Sequence, residues 1–192
     1  MEEFDFHQAV NIATDLKNKK YQLIGTGSTS TVWCRGNQDS VIKVIMPNPD
    51  FHENQRARRI QVSYLQCCQQ RIENRHFPRF YKHDYQFVKV LNEGLGFVSV
   101  CMERLYPLGA ANREILEYLS RESDYNSIWL FEKIKYYYKH GLNKLPEQLG
   151  SFYRTASYLQ KQSKFLNYGF DLRTENVMQR KDGTLVIIDP WS

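Results

Sequence analysis

No apolar stretch in this sequence of 192 residues approaches the roughly 20 residues that a membrane-spanning helix needs, so a helical membrane protein is excluded. Also missing is a basic and then apolar leader: the first residues, MEEFDFHQAV, are acidic and broken by polar side chains, which makes the cytoplasm the expected compartment. Cysteine is scarce. Cys34, Cys67, Cys68 and Cys101 form no CxxC pair, and no histidine stands at metal-ligand spacing, which argues against a disulfide framework and a zinc site and leaves reduced packing residues. There is no internal repeat and no low-complexity tract. What is present is a chain 42% apolar and 14% aromatic, too rich for disorder and long enough to bury a core. The charge balance, 26 basic against 21 acidic side chains, gives only +5. Part of the excess lies in Arg56, Arg58, Arg59, Arg71, Arg75, Arg79 and Lys82, set against Asp50, Glu53, Glu73 and Asp84. A solvated helix face accounts for such a run; a surface for an acidic partner or for nucleic acid is the alternative, and nucleic acid is not favoured.

Periodicity divides the chain near residue 105. Phe4, Phe6, Val10, Ile12, Ala13 and Leu16 are spaced for a short amphipathic helix over 4–18. YQLIGTGSTSTVWCRGNQDSVIKVIM then alternates and is rich in β-branched residues, with Gly36 and Asn37 between two apolar runs, which predicts a β-hairpin over 21–46. Pro47 and Pro49 stop its second strand, and a long helix is expected to about residue 70, with Ile60, Tyr64, Leu65 and Cys68 on one side. FPRFYKHDYQFVKVLNEGLGFVSVCMERL reads as two or three strands with a turn at 92–96. Pro107 and Gly109 mark a loop. Beyond it the pattern is helical over 113–138, interrupted near 124–126, and helical again over 147–165, where Leu149, Phe152, Ala156 and Leu159 share a face. The last stretch, GFDLRTENVMQRKDGTLVIIDPWS, reads as a polar loop, a short strand, a turn at Asp182 and Gly183, and an apolar strand running into Asp189. The expected fold class is α+β: a first region, 1–105, of antiparallel sheet plus one helix, and a second, 106–192, that is short and mainly helical.

Three features carry chemistry. Gly25 and Gly27, followed by Ser28, Thr29, Ser30 and Thr31, allow backbone amides to approach an anion and add hydroxyl donors; glycines in strands also serve backbone geometry alone. A second strand rather than a helix follows them, which argues against a dinucleotide-binding loop. Lys43 in VIKV is partly enclosed and suited to pairing with phosphate, although strand lysines also extend to solvent. Asp171, Asn176 and Asp189 supply hard oxygen ligands for Mg²⁺ and a carboxylate that can accept a hydroxyl proton. Taken singly, each also has an ordinary use: capping a turn, satisfying loop backbone, ending a strand.

In this order and spacing, the residues from about 21 to 189 resemble the protein kinase superfamily. IGTGSTSTVW is similar to the loop GxGxxGxV, with Gly25, Gly27 and Val32 in place and Ser30 at the third glycine. The resemblance implies a bilobal protein-kinase-like fold that binds ATP and Mg²⁺. It implies that Ile24 and Val32 cover the adenine face, that Ser28 lies in the phosphate loop, and that VIK presents Lys43 to the α- and β-phosphates. Glu53, early in the first region's helix, is the glutamate chosen to pair with Lys43, and Glu73, late in it, is the alternative. VCMERL resembles the strand entering the hinge, with Met102 as gatekeeper and the backbone of Glu103 and Leu105 toward the adenine edge. DLRTEN fits DxxxxN, making Asp171 the base and Asn176 a metal ligand, and IIDP makes Asp189 the magnesium aspartate.

Departures bear on function. Gly169 and Phe170 stand where the family has His and Arg, and Pro190 and Trp191 where it has Phe and Gly. The sequence ends at Ser192, before the activation segment and the helices that bind a peptide substrate. The outline resembles short kinases of lytic bacteriophages and truncated bacterial effector kinases, which implies a protein kinase of Ser/Thr type acting on host proteins. Two alternatives stay open: a kinase-like interaction protein that occupies a host regulator or a nucleic-acid complex, and a small-molecule phosphotransferase similar to the aminoglycoside enzymes.

Overall fold

The computed structural model describes residues 13–27, 30–45, 53–81, 90–91, 94–95, 98–121, 131, 134 and 147–192. The fold is mixed α and β, as the periodicity predicts, and its main sheet is antiparallel with five strands. The chain divides into two compact units: Met1–Gln69 with Arg79–Arg104, and Gln70–Pro78 with Leu105–Ser192.

In the first unit β1 (Gln22–Thr26), β2 (Ser30–Cys34) and β3 (Ser40–Ile45) run as a meander. The helix α1 (Glu53–Gln69) follows, then β4 (Phe80–Tyr81), the small pair β5 (Val90–Leu91) and β6 (Gly94–Leu95), and β7 (Val98–Glu103). The order in the sheet is β1-β2-β3-β7-β4. The stretch over 21–35, read from sequence as one strand carrying two glycines, is two strands: β1 and β2 pair antiparallel, Thr26 opposite Thr31, and Gly27 N–H donates to Ser30 O at 2.7 Å. The turn at Gly36 and Asn37 is where it was expected, with Gly36 at φ 56°.

Alternation along β3 decides what the sheet buries. Val41 and Ile45 join Cys34, Val100 and Met102 against Val62 and Leu65 of α1. Ile42 and Val44, on the opposite face, join Trp33 against Leu16, which lies in the helical stretch 13–18. Each such side chain, fully buried, contributes about 1.5–3 kcal/mol. Arg56 and Arg59 of α1 are exposed, as a solvated helix face requires. Residues 4–12 of the first expected helix, Pro47, Pro49 and residues 92, 93 and 96 of the expected turn lie outside the described residues, while Gly94 and Leu95 of that turn form β6.

The second unit contains α2 (Ala110–Arg121), α3 (Glu147–Phe165), a 3₁₀ turn (Thr174–Asn176) and the hairpin β8 (Val177–Gln179) and β9 (Leu185–Ile187). Phe131 and Ile134 are helical and buried; the rest of 122–146 lies outside the described residues. α3 has the predicted bounds because Leu149, Phe152, Ala156 and Leu159 recur on one face, all fully buried. It ends in a Schellman motif: Tyr168 N–H reaches Ser163 O at 2.8 Å and Asn167 N–H reaches Lys164 O at 3.3 Å, with Asn167 in the left-handed region at φ 57°. The β8–β9 turn needs Gly183, at φ 82°, while Asp182 Oδ1 accepts Thr184 N–H at 2.9 Å.

The segment Gln70–Pro78 folds with this second unit, an excursion that a division at 105/106 does not contain. His76 is its anchor. Its Nδ1 lies 2.7 Å from Leu185 O, and since a carbonyl only accepts, Nδ1 carries the proton and Nε2 accepts from Ser151 Oγ, also at 2.7 Å. Arg180 donates to the carbonyls of Arg75 and Phe77, and Ile187 N–H to His76 O at 3.0 Å. Burial, against the opposing pull of the Leu185 carbonyl, brings the His76 imidazole down to about 4. Among the described residues, no helix is long and apolar enough to cross a membrane.

Candidate functional site

Strand register assembles the first unit's candidates. Gly25 pairs with Val32 across β1 and β2, Val32 with Lys43 across β2 and β3, and Lys43 with Val100 of β7. A Cβ on Gly25 would stand 3.7 Å from the Val32 Cβ, an ordinary contact, so that glycine is not demanded by packing. Directly paired residues share a face, and Lys43 lies two positions from both Val41 and Ile45, which places it with them on the face covered by α1. Its charge is felt there. The Cys68 thiol of α1 is pushed up by burial, offset in part by a Tyr64 hydrogen bond and the Lys43 ammonium.

Ile24 is half exposed on β1. Met102 is buried opposite Val41 on one side and Phe80 on the other. Glu103 is buried; its N–H donates to Arg79 O and its Oε1 accepts Arg79 N–H, both at 2.9 Å. Glu53 opens α1 and is the helix's single carboxylate, but its side chain lies outside the described residues, as does Ser28. Leu105 belongs to the second unit, one residue before Tyr106, which exchanges two main-chain hydrogen bonds with Gln179 of β8.

In the second unit, main-chain bonds bring the segments carrying Asp171, Asn176 and Asp189 to the open end of the β8–β9 hairpin. Val177 pairs with Ile187, so Asn176 and Ile188 come opposite one another, and Ile188 N–H donates to Asn176 O at 2.9 Å. Asp171 N–H donates to Pro190 O at 2.7 Å, directly after Asp189. Asn176 Nδ2 donates to Asp171 O at 2.8 Å, leaving its Oδ1, a hard oxygen donor, on the other side of the amide.

Sequence reasoning missed Arg173. Its Nε donates to Asp171 Oδ1 at 2.8 Å, with the arginine 58% and the aspartate 19% exposed. That hydrogen bond, with the charge of Asp171, raises the guanidinium further above its usual range. Its signal was an arginine two positions beyond a loop aspartate, visible but shared with many loops. Among the described residues, no group of three His, Cys, Asp or Glu side chains could hold a metal ion. A cation here would use Asn176 and Asp189, and Mg²⁺ commonly takes one or two carboxylates, its remaining ligands being water and substrate phosphate.

No protein-family model matches the chain, and no curated protein matches it. Among solved structures it is similar to WbdD, in a co-crystal structure with a kinase inhibitor, at 15% identity and a TM-score of 0.40. The match covers 87% of this chain and 32% of that one, so the chain spans about a third of that protein's length.

Proposed function

We propose that this chain is a small ATP-dependent protein kinase of Ser/Thr type, moving the γ-phosphoryl group of ATP to a protein hydroxyl. The observation that supports this reading is that hydrogen bonds of Asp171, Asn176 and the two neighbours of Asp189, Ile188 and Pro190, draw these segments together at the open end of one hairpin. A base, an amide oxygen and a second carboxylate fit that chemistry. Asp171 accepts the proton of the attacking hydroxyl, and Arg173 holds one of its carboxylate oxygens in place, which restricts the direction of the other. Asn176 and Asp189 would hold Mg²⁺, which neutralises charge on the phosphates when bound. Lys43, whose aliphatic stem lies on an apolar sheet face, pairs with the α- and β-phosphates, and Ile24 and Val32 cover the adenine. In this reading the acceptor is a host protein met in the cytoplasm.

The test is transfer of labelled γ-phosphate from ATP into proteins of a cell lysate, for the wild-type chain and Asp171→Ala. Transfer that falls about 100-fold or more in the variant supports a base at Asp171. Equal labelling, or none with either protein, sinks the reading and leaves an interaction protein.

A further inference from the structure

We propose that residues 190–192 form a strap that sets the position of Asp171, with Trp191 as its positioning residue; the proposal rests on the kinase reading above. Residues 169–171 and 190–192 run antiparallel. Gly169 N–H donates to Ser192 O at 2.7 Å, Ser192 N–H returns to Gly169 O at 3.2 Å, and Asp171 N–H donates to Pro190 O at 2.7 Å. Phe170 stands opposite Trp191. A ladder this short is marginal by itself, so its hold must come from what anchors it.

Both sides are anchored. Trp191 is 4% exposed, and its indole N–H donates to Leu159 O, in α3, at 3.1 Å. Its ring lies 6.0 Å from Tyr168. On the opposing side, Phe170 meets Phe131 edge-on at 5.4 Å. The fit is tight at Gly169, where a Cβ would come 2.4 Å from Ser192 Oγ and 3.0 Å from Ser192 O. The glycine found in place of a side chain there is what lets Ser192 lie against the loop.

The consequence falls on Asp171. The strap takes its N–H, while its C=O accepts from Asn176 Nδ2 at 2.8 Å and from Arg173 N–H at 3.2 Å. With both main-chain groups engaged, the direction of its Cβ is settled. Because Pro190 follows Asp189, the same hydrogen bond sets the spacing between the two carboxylate-bearing residues. The Asp171 carboxylate therefore depends on an indole anchored on α3, and loosening that anchor slows turnover without weakening ATP binding.

The experiment uses the full chain as wild type, Trp191→Phe, which keeps a ring but loses the indole N–H, and Gly169→Ala, with Ser192→Gly added to the latter as relief. Urea midpoints, amide hydrogen exchange and the kcat and KM for ATP in phosphate transfer are measured together. In Trp191→Phe, the Asp171 amide is expected to exchange about tenfold faster while Ile187 exchanges as in wild type. Its kcat falls about 10- to 100-fold at unchanged KM. Gly169→Ala behaves likewise, and Ser192→Gly restores part of the loss. Slow exchange at Asp171 in the variants, faster exchange with unchanged kcat, or a loss of kcat matched by a lower urea midpoint and faster exchange at Ile187 overturns the proposal. If the wild-type chain transfers no phosphate, the kinase reading fails, and exchange decides the strap separately. Acceleration confined to the amides of 169–171, Trp191 and Ser192 keeps it, and uniform acceleration removes it.

Discussion

Lys43 and Asp171 are held in opposite ways. Lys43 sits in an interior strand, paired with β2 on one side and β7 on the other, so many equivalent bonds fix its direction and no single one matters much. Asp171 sits in a loop whose geometry depends on a few unlike contacts: one to Pro190, one from Asn176, two from Arg173. A sheet gives a candidate residue redundancy, whereas a loop gives it a small number of partners, each of which can be lost. The first arrangement tolerates change around the residue, and the second concentrates sensitivity at distant anchors.

The largest effect should come from the two residues themselves. Asp171→Ala is expected to lower phosphate transfer about 10²–10⁴-fold with ATP binding kept. Lys43→Met should weaken ATP binding itself; fluorescence titration with a nucleotide analogue separates the two, and identical profiles would remove the division of labour.

Next in size are the supports. Ile42→Ala, in the sheet interior, should cost about 2–5 kcal/mol by urea unfolding. His76→Ala, which strands the Leu185 carbonyl and the Ser151 hydroxyl, should cost about 3 kcal/mol. A negligible cost for His76→Ala would mean that the Gln70–Pro78 segment is not clasped by this ring.

The same histidine should also show in pH. Its imidazole is held down to about 4 in the fold, below the ordinary value near 6.5, so in that interval the unfolded chain binds a proton that the native chain does not. Stability is therefore full above about 6.5 and is lost as pH falls toward 4, where Arg75, Arg180 and Arg154 oppose a further positive charge. Urea midpoints across this interval should decline more in wild type than in His76→Ala; parallel declines would place the titration elsewhere.

The smallest expected effect is Gly36→Ala, at a turn with nothing within 4 Å of the new methyl. Only its left-handed backbone objects, a cost of about 1 kcal/mol, with transfer unchanged. A larger loss would mean that the β2–β3 turn does more than reverse the chain.

Much of the first unit's arrangement could be read from alternation and turn residues. So could α3, whose Leu149, Phe152, Ala156 and Leu159 give both its face and its bounds. The split of 21–35 into β1 and β2 could not, because β-branched residues on both sides of Gly25 and Gly27 satisfy one long strand as well as two short ones.

Local pattern by itself determined the fold class, the strand carrying Lys43 and the loop carrying Asp171 and Asn176, since each is set by residues only a few positions apart. Tertiary structure alone decided that Arg180 would hold the carbonyls of Arg75 and Phe77 more than a hundred residues away. It alone placed Arg173 on Asp171 and Ser192 against Gly169. Periodicity reports which face of an element is apolar; it carries no record of which backbone carbonyl a distant arginine, indole or amide will find once the chain has collapsed.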